Sequence, residues 1–377
     1  MKKIIYVHDL HFYRLGSCLY TSSNIPEIYF NRFFGAEECE ISIFSRLINL
    51  KSIEELPQGY EVIKNKNIKI IEIAPKNYLS IFNIKLILKF SLEIKNNDFL
   101  VANIPSILGI FSLIINTFAK KPFSVEVAAD YDQFSSKKGG FCVSLIMKPL
   151  MTYFIKNAKG AAYVSQFLKE KYPSYGQYVI SSNVNIESIS KKEYKYRPEH
   201  LEITFIGGLN ERKGVFNLLE SIKIIKNKTD KKIVINLIGG HHDRNWNKIV
   251  KDLKIENLVI FYGILTKTKI IEILDRSDLY IQPSLTEGIP RATLEAMSRG
   301  LPVVATKLPG FSEILDEEVL VNTNSSKELA EKILTLSRDE NKLKSLSYRN
   351  RKRAKDFTYE ILHNKRKKFY QEVLGKE

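Results

Sequence analysis

The sequence contains few cysteines. Its 377 residues include only Cys18, Cys39 and Cys142, which are far apart along the chain. Three widely spaced cysteines cannot form a disulfide framework or a cysteine-ligated metal cluster, so disulfide-rich secreted folds are excluded. We therefore expect reduced thiols with a structural role and a cytosolic location.

The pattern predicts neither a secretory signal nor a membrane span. The first apolar run, residues 3–7, is too short for a signal, and no cleavage pattern follows it. The uncharged stretch 99–118 is long enough to cross a bilayer. Asn103 and Pro105 interrupt that stretch, so it favours a strand followed by a buried helix over residues 106–119.

Acidic residues are outnumbered by basic ones. Lysine and arginine total 58 against 42 for aspartate and glutamate, which gives a net charge of +16. Such a charge favours polyanionic partners. No helix-turn-helix, RRM-like or zinc-finger pattern occurs and the lysines are dispersed, so we expect no nucleic-acid partner.

An anionic membrane surface is the partner that the charge pattern favours. Residues 81–90 have the pattern of an amphipathic basic helix, and Lys137, Lys138 and Lys148 lie in the same half of the chain. We expect a cytoplasmic protein attached peripherally to the inner face of the cell membrane. A charged run is also typical of a solvated helix face, and that alternative stays open.

Strand patterns alternate with helical patterns along the whole chain, which is long enough for two domains. The alternation predicts an α/β fold with two parallel, doubly wound sheets, in which ligands bind at the carboxyl ends of the strands. The predicted strands are residues 4–7, 68–73, 99–102, 123–127, 160–164 and 178–180 in the first half, and 201–206, 233–238, 259–262, 279–281, 302–305 and 319–321 in the second.

A polar segment without apolar periodicity separates the two halves. Residues 189–200 are rich in lysine, glutamate, tyrosine and proline, and we interpret them as a linker. They divide an N-terminal domain, residues 1–188, from a C-terminal domain, residues 201–355. If the two sheets face each other, the active site lies in the cleft between them.

The most informative stretch runs from Glu287 to Glu295 and reads as a loop entering a helix. Pro290 suits the first turn of that helix, because proline has no N–H to leave unpaired. The next three N–H groups then point out of the helix start, where the peptide dipoles favour an anion such as phosphate. Paired acids of this kind also simply cap helices, so the residues alone leave both interpretations open. The binding positions that we expect here are Gly288, Ile289, Pro290, Arg291, Ala292, Thr293 and Glu295.

A glycine turn followed by two cations forms a second element. Gly207 and Gly208 follow the strand 201–206, and Arg212 and Lys213 come just after them. Glycines let the backbone approach a ligand closely, and an adjacent arginine and lysine can clamp a diphosphate. An isolated Arg-Lys pair is more often a solvated turn, and the residues alone do not decide between the two.

The string E-G-x-P-x-x-x-L-E-A-M-x-x-G-x-P-V-V-A-T over residues 287–306 resembles the donor-site signature of the retaining family 4 glycosyltransferases, part of glycosyl transferases group 1. In that family, seven residues also separate the two glutamates. Arg212 and Lys213 fall where the family's diphosphate-binding pair falls. The resemblance implies that Glu295 binds ribose hydroxyls and that Glu287 binds the donor sugar or its reacting centre. It also places Gly239 near the nucleotide and Gly263 near the base.

The resemblance implies a GT-B fold of two facing Rossmann-like domains, of which residues 1–188 bind the acceptor and residues 201–355 the nucleotide-sugar donor. It also implies that the last helix, residues 356–377, packs back on the first domain. It implies transfer, with retention, from a UDP- or GDP-sugar to a saccharide or lipid-linked acceptor in bacterial surface polysaccharide synthesis, such as capsule, O-antigen or lipopolysaccharide. We expect no cofactor and no metal, because Arg212, Lys213 and the helix start can neutralise the leaving diphosphate. The alternative is a non-catalytic subunit that binds nucleotide sugar or polyanions.

The resemblance weakens toward the amino terminus. Family members often carry a glycine pair after the first strand, where this chain has only Gly16. Many place a histidine after the fourth strand, where this chain has Asp130 instead. Asp130 is a candidate substitute for that catalytic histidine or a turn cap, with both interpretations open. His241 and His242 have no ligand partners at metal spacing, so we interpret them as loop residues.

Overall fold

The computed structural model of the protein describes residues 1–22, 25–34, 39–57, 59–72, 81–131, 140–240 and 243–375. The chain divides into two units, Met1–Ser182 with His363–Glu377, and Asn183–Leu362. The predicted linker, residues 189–200, lies within the second unit rather than between the two. Its side chains explain why, since Arg197 pairs with Asp278 at 2.8 Å and the Tyr194 hydroxyl donates to the Asp278 carbonyl at 3.1 Å.

The first unit contains, among the described residues, a nine-stranded sheet with helical crossovers. Its strands are β1 Lys2–Leu15, β2 Cys18–Ser22, β3 Cys39–Asn49, β4 Tyr60–Ile63, β5 Ile68–Ile70, β6 Phe99–Ile104, β7 Phe123–Val127, β8 Gly160–Tyr163 and β9 Gln177–Ile180. Its helices up to β9 are α1 Ile84–Asn96, α2 Ile107–Ala119, α3 Gly140–Asn157 and α4 Gln166–Lys171. The order is β4-β2-β1-β6-β7-β8-β9, with β3 paired to β1 and β5. Only the β1–β2 and β2–β4 pairs are antiparallel among these strands.

Three strands of the first unit, β2, β3 and β4, were not predicted, and β1 runs beyond the predicted residues 4–7. The second half of β1 carries polar residues that hid its strand character, and Gly16, at φ +58°, turns it into the antiparallel β2. Strand β3 did carry a signal, because its buried Cys39, Ile41 and Ile43 alternate with the partly exposed Glu40 and Ser42. Strands β2 and β3 thus follow β1 in the region where the family resemblance predicts a glycine pair.

The uncharged stretch 99–118 forms a strand and a helix, as predicted. All six residues of β6 are buried in the sheet, and α2 begins after Ser106, whose side chain accepts a hydrogen bond from the Gly109 N–H. The helix ends at Lys120, which adopts the left-handed conformation at φ 53°. Within the part of the chain that is described, no helix is both long and apolar enough to cross a membrane.

The second unit holds a six-stranded sheet, within the described residues, and all of its pairings are parallel. Its strands are β10 His200–Ile206, β11 Lys232–Ile238, β12 Val259–Gly263, β13 Leu279–Gln282, β14 Val303–Thr306 and β15 Leu320–Val321. Its helices are α5 Val215–Lys226, α6 Trp246–Asp252, α7 Lys267–Arg276, α8 Arg291–Ser298, α9 Pro309–Ser312, α10 Ser326–Ser337 and α11 Glu340–Ala354. All six predicted strands are present.

The last helix, α12 Tyr359–Gly375, belongs to the first unit from His363 onward. There the Tyr370 hydroxyl donates to Glu126 on β7 at 3.0 Å, and its ring lies 4.5 Å from that of Phe33. The sheet of the first unit thus separates two cores. One contains α1, α2 and α3, and the other contains α12 and the 3₁₀ helix Glu27–Arg32.

Candidate functional site

The strand order of the second unit reverses between β10 and β13. From β10 the chain proceeds outward to β11 and β12, and then returns to β13 on the other side and continues to β14 and β15. Ligands of open parallel sheets bind at the carboxyl ends of the strands at such a reversal. The segments that follow β10 and β13 are therefore the place to look for a site, and they hold the two predicted elements.

A glycine lets these two segments meet. Gly214 precedes α5 at φ 69°, and a Cβ on it would lie 1.8 Å from the carbonyl oxygen of Pro283, just after β13. No side chain fits there, so only glycine allows the start of α5 to approach the end of β13 this closely. The Leu285 N–H donates to the Arg212 carbonyl at 2.8 Å, which ties the same segments together.

The approach places Lys213 against Glu287. The Lys213 ammonium donates to Glu287 Oε1, and the Ser284 hydroxyl donates to the same oxygen at 2.9 Å. Both charged side chains are largely buried, at 19% and 10% exposure, so solvent screens the pair weakly. No described residue donates to the second oxygen, Oε2, which leaves an acceptor for the hydroxyl of a ligand.

A hydrogen-bond relay of three side chains supports Glu287. The Tyr280 hydroxyl bonds to Gln282 Oε1, and Gln282 Nε2 donates to the Ser284 hydroxyl at 3.0 Å. We missed these residues in the sequence. Tyr280, Gln282 and Ser284 alternate along β13 and its extension, and polar residues at period two in an apolar strand share one face. That spacing was the available signal.

Helix α8 begins at Arg291, one residue later than predicted. Pro290 is the N-cap residue at φ −78°, and Leu294 donates the first intrahelical bond to the Pro290 carbonyl at 3.2 Å. The N–H groups of Arg291, Ala292 and Thr293 therefore have no acceptor within the helix, as at every helix start. They form a positive end beside the loop that carries Glu287, Gly288 and Ile289.

Glu295 lies on the first turns of α8 and lines a small cavity with Asn185, Lys267 and Ile270. Burial raises the pKa of the Glu295 carboxyl, and Arg291 and Lys267 offset the effect only in part. The pKa of the Tyr280 hydroxyl is raised well above its usual value, mainly by burial and further by the negative charges of Glu295 and Glu287. Both glutamates therefore raise the pKa of the same tyrosine hydroxyl.

Glycines bring the turns after β10, β11 and β12 together. The Gly239 N–H donates to the Gly263 carbonyl at 2.8 Å, and a Cβ on Gly239 would lie 1.9 Å from the Gly207 carbonyl oxygen. Gly208 continues the turn after β10. The Arg212 side chain is exposed at the same end, where it reaches the Thr286 carbonyl at 3.4 Å. The arrangement offers cations and N–H groups for a diphosphate, and carboxylates for hydroxyls.

Asp130 lies in the first unit after β7. Its carboxylate accepts hydrogen bonds from the Lys171 ammonium and the Tyr172 hydroxyl, and also from the Tyr131 N–H at 2.7 Å. Both oxygens of this carboxylate thus accept from partners in their own unit, whereas described residues donate only to Oε1 of Glu287. His241, His242, Lys137 and Lys138 lie outside the described residues.

Comparisons with known proteins agree with this geometry. Residues 187–353 match the model of the family described as glycosyl transferases group 1. The chain is 29% identical to the protein CapJ of Staphylococcus aureus over 330 residues, which cover 84% of this chain and 82% of CapJ. It is 31% identical to the amylovoran biosynthesis glycosyltransferase AmsK of Erwinia amylovora over 37% of each chain. The structure of Anabaena Alr3699/HepE in complex with UDP superposes with a TM-score of 0.67 at 16% identity, covering 97% of this chain and 98% of that one.

The fold is therefore GT-B, the glycosyltransferase architecture of two Rossmann-like α/β domains. Within that class, residues 187–353 are similar to the glycosyl transferases group 1 family, whose model they match. The resemblance to glycosyl transferases group 1 that the two-glutamate motif indicated is confirmed.

Proposed function

We propose that the protein is a retaining glycosyltransferase that moves a sugar from a UDP- or GDP-sugar to a saccharide or lipid-linked acceptor in the synthesis of a bacterial surface polysaccharide. The observation that carries the proposal is the Glu287 carboxylate, which is fixed by Lys213 and Ser284 beside the start of α8. AmsK is a glycosyltransferase of amylovoran biosynthesis, which supports a polysaccharide as the product. HepE binds UDP, which supports a nucleotide sugar as the donor.

The donor would lie across the ends of β10 and β13. Arg212, Lys213 and the N–H groups at the start of α8 would bind the diphosphate, because together they supply positive charge on a single side of the sheet. Glu295 would accept hydrogen bonds from the ribose hydroxyls. Glu287 would accept them from the donor sugar through its open Oε2, with the turns at Gly239 and Gly263 toward the base.

The reaction that fits these groups is a same-face displacement. The bond from the anomeric carbon to the diphosphate oxygen breaks, and its electron pair leaves with the diphosphate. The acceptor oxygen bonds to the anomeric carbon from the same side and passes its proton to the departing phosphate oxygen. Arg212 and Lys213 stabilise the charge that grows on this oxygen, so the proposal requires no metal ion.

We propose further that the protein acts at a membrane surface rich in anionic lipid, to which it binds peripherally. Its net charge of +16 supports this location.

A transfer assay with UDP-, GDP- and ADP-sugars in excess EDTA tests the reaction. We expect transfer, or slow donor hydrolysis, with donors of one base, and a product whose anomeric configuration by NMR equals that of the donor. Loss of activity in EDTA that manganese or magnesium restores would overturn the metal-independent site. An inverted product would overturn retention.

A binding subunit without activity is the second candidate. It is favoured by Asp130, which stands where many family members have a histidine and whose carboxylate is occupied by Lys171 and Tyr172. In that case the protein binds a nucleotide sugar but neither transfers nor hydrolyses it under any condition of the same assay.

A further inference from the structure

Helices α1, α2 and α3 cover one side of the sheet in the first unit. Phe90 on α1, Leu113 on α2 and Met151 on α3 belong to a single buried core with that side of the sheet, and α2 packs against both of the other helices. Their inner faces therefore supply the apolar surface that folding requires. Their outer faces are expected to be polar if they contact only water.

The outer faces instead carry large exposed apolar side chains among their lysines. Ile84, Leu88 and Leu92 recur every fourth residue along α1 and are 72%, 61% and 59% exposed. Phe118 on α2 is 79% exposed, and large exposed side chains of α3 extend the same pattern. We call this surface the outer face and define it by Ile84, Leu88, Leu92, Phe118, Leu145 and Ile146. Single exposed apolar residues are ordinary, but several large ones on three helices that pack together favour an interaction surface.

Lysines surround the outer face, and acids are nearly absent. Helix α1 carries one acid, Glu93, α2 carries no charged residue, and α3 carries no acid. The lysines on these helices or directly after α2 are Lys85, Lys89, Lys95, Lys120, Lys121, Lys148 and Lys156. A second copy of the chain would bring the same positive charge against this surface and be repelled. An anionic partner with an apolar layer beneath its charge fits both features.

We propose that the outer face docks on the surface of a bilayer that contains anionic lipid. The apolar side chains enter the boundary between headgroups and acyl chains, and the lysine ammonium groups remain at the level of the lipid phosphates. This inference rests on the membrane location proposed above and adds the surface that makes the contact. It also adds an insertion component, which charge alone does not supply.

Sedimentation with vesicles tests the two components separately. The vesicles contain phosphatidylglycerol in phosphatidylcholine, or phosphatidylcholine alone. The apolar variant is Leu88→Ser/Leu92→Ser and the charge variant is Lys85→Glu/Lys89→Glu. Each has a matched control at exposed positions off the outer face, namely Ile53→Ser for the apolar change and Lys223→Glu/Lys228→Glu for the charge change.

The full-length wild type should sediment with the anionic vesicles and not with phosphatidylcholine alone. The apolar variant should bind on the order of tenfold more weakly, because two leucine side chains no longer enter the bilayer. The charge variant should lose at least as much at low salt. Both controls should bind within about twofold of wild type, since their changes lie elsewhere.

Three results would overturn the outer face as the docking surface. In the first, the apolar variant binds vesicles as tightly as the wild type does. In the second, the control variants lose as much binding as the apolar and charge variants. In the third, the wild type is a dimer and the apolar variant is a monomer. Binding of UDP without vesicles keeps this test apart from the proposed reaction. If the variants bind UDP but neither the wild type nor any variant sediments with vesicles, only the membrane proposal fails. If vesicle binding follows the prediction and no nucleotide binds, only the donor site fails.

Discussion

Glu126 in the first unit and Glu287 in the second are both largely buried carboxylates that face a basic side chain, but they differ in what remains open. Each oxygen of Glu126 receives two donors from the protein. Oε1 of Glu287 receives two donors, and no described residue donates to its Oε2. The donors to Glu126 are the Arg32 guanidinium and the hydroxyls of Tyr6, Tyr29 and Tyr370. A fully partnered carboxylate can stabilise a fold, whereas one with an open acceptor can bind a ligand.

The charges around the two sites differ in the same way. Burial disfavours the charged form of Glu126, but Arg32 and Arg366 outweigh it and hold the pKa of this carboxyl below its usual value. Burial, with the charge of Arg32, lowers the pKa of Arg366 to about 10. In the second unit, burial raises the pKa of Glu295 because its neighbouring cations compensate less. The first cluster thus joins β7 to α12.

Removing the charge of Glu126 should give the largest effect. Glu126→Gln leaves Arg32 and Arg366 buried without their acid, and breaking a buried ion pair costs about 3–5 kcal/mol. We expect the free energy of unfolding, measured with urea, to fall by that amount. Glu54→Gln makes the same chemical change at an exposed position and should shift it by less than about 0.5 kcal/mol. Equal stability of the two variants would show that the cluster adds nothing to the fold.

Removing the two cations Arg212 and Lys213 should greatly reduce transfer and leave the protein folded. We expect Arg212→Ala/Lys213→Ala to lower kcat about 10²–10³-fold, because charge stabilisation at the leaving group is lost. The melting temperature should fall, because the largely buried Glu287 loses its ion-pair partner, but the variant should remain folded at the assay temperature. Lys248→Ala/Lys251→Ala removes two exposed lysines from α6 of the same unit and serves as the control. Near wild-type turnover in the first variant would refute the diphosphate assignment.

Breaking the relay behind Glu287 should have a smaller effect. Ser284→Ala removes one donor to the carboxylate oxygen Oε1, and a hydrogen bond to a charged group contributes about 1.5–3 kcal/mol, so kcat should fall about 10- to 100-fold with KM changing less. Ser337→Ala is the control, because that buried hydroxyl bonds only to a carbonyl of its own helix. A drop in stability without a change in kcat would reduce Ser284 to a packing role.

The smallest expected effect concerns pH and the first unit. Burial, with a contribution from Arg46, lowers the pKa of His8 to about 4. The unfolded chain therefore takes up a proton below about pH 6.5, while the folded protein stays neutral there until about pH 4. Stability from this residue is present above pH 6.5 and is lost as the pH falls, by up to about 1 kcal/mol per pH unit given the partial exposure of the ring. His8→Asn should make the free energy of unfolding depend less on pH between about pH 4 and 6.5. An unchanged pH dependence would show that His8 is not its source.

The sequence predicted the second unit better than the first for a physical reason. Most of the strands β10 to β15 are short buried runs, and glycine or proline ends or directly follows each of β10 to β13. Local patterns therefore define these strands and place Glu287, Arg212 and Lys213 beside them. The cluster around Glu126 depends on Tyr370, which is 244 residues away. No local pattern encodes such a contact. The relay of Tyr280, Gln282 and Ser284 was within reach, because its period-two spacing is visible in the chain.

The central claim is that the segments after β10 and β13 bind a nucleotide diphosphate sugar. Thermal unfolding with UDP-, GDP- and ADP-sugars in EDTA measures this most directly, since a ligand that binds only the folded state raises the melting temperature. The account predicts a concentration-dependent rise for wild type with sugars of one base, and little or none for Arg212→Ala/Lys213→Ala. No rise with any of the three, or the same rise in the double variant, would contradict it.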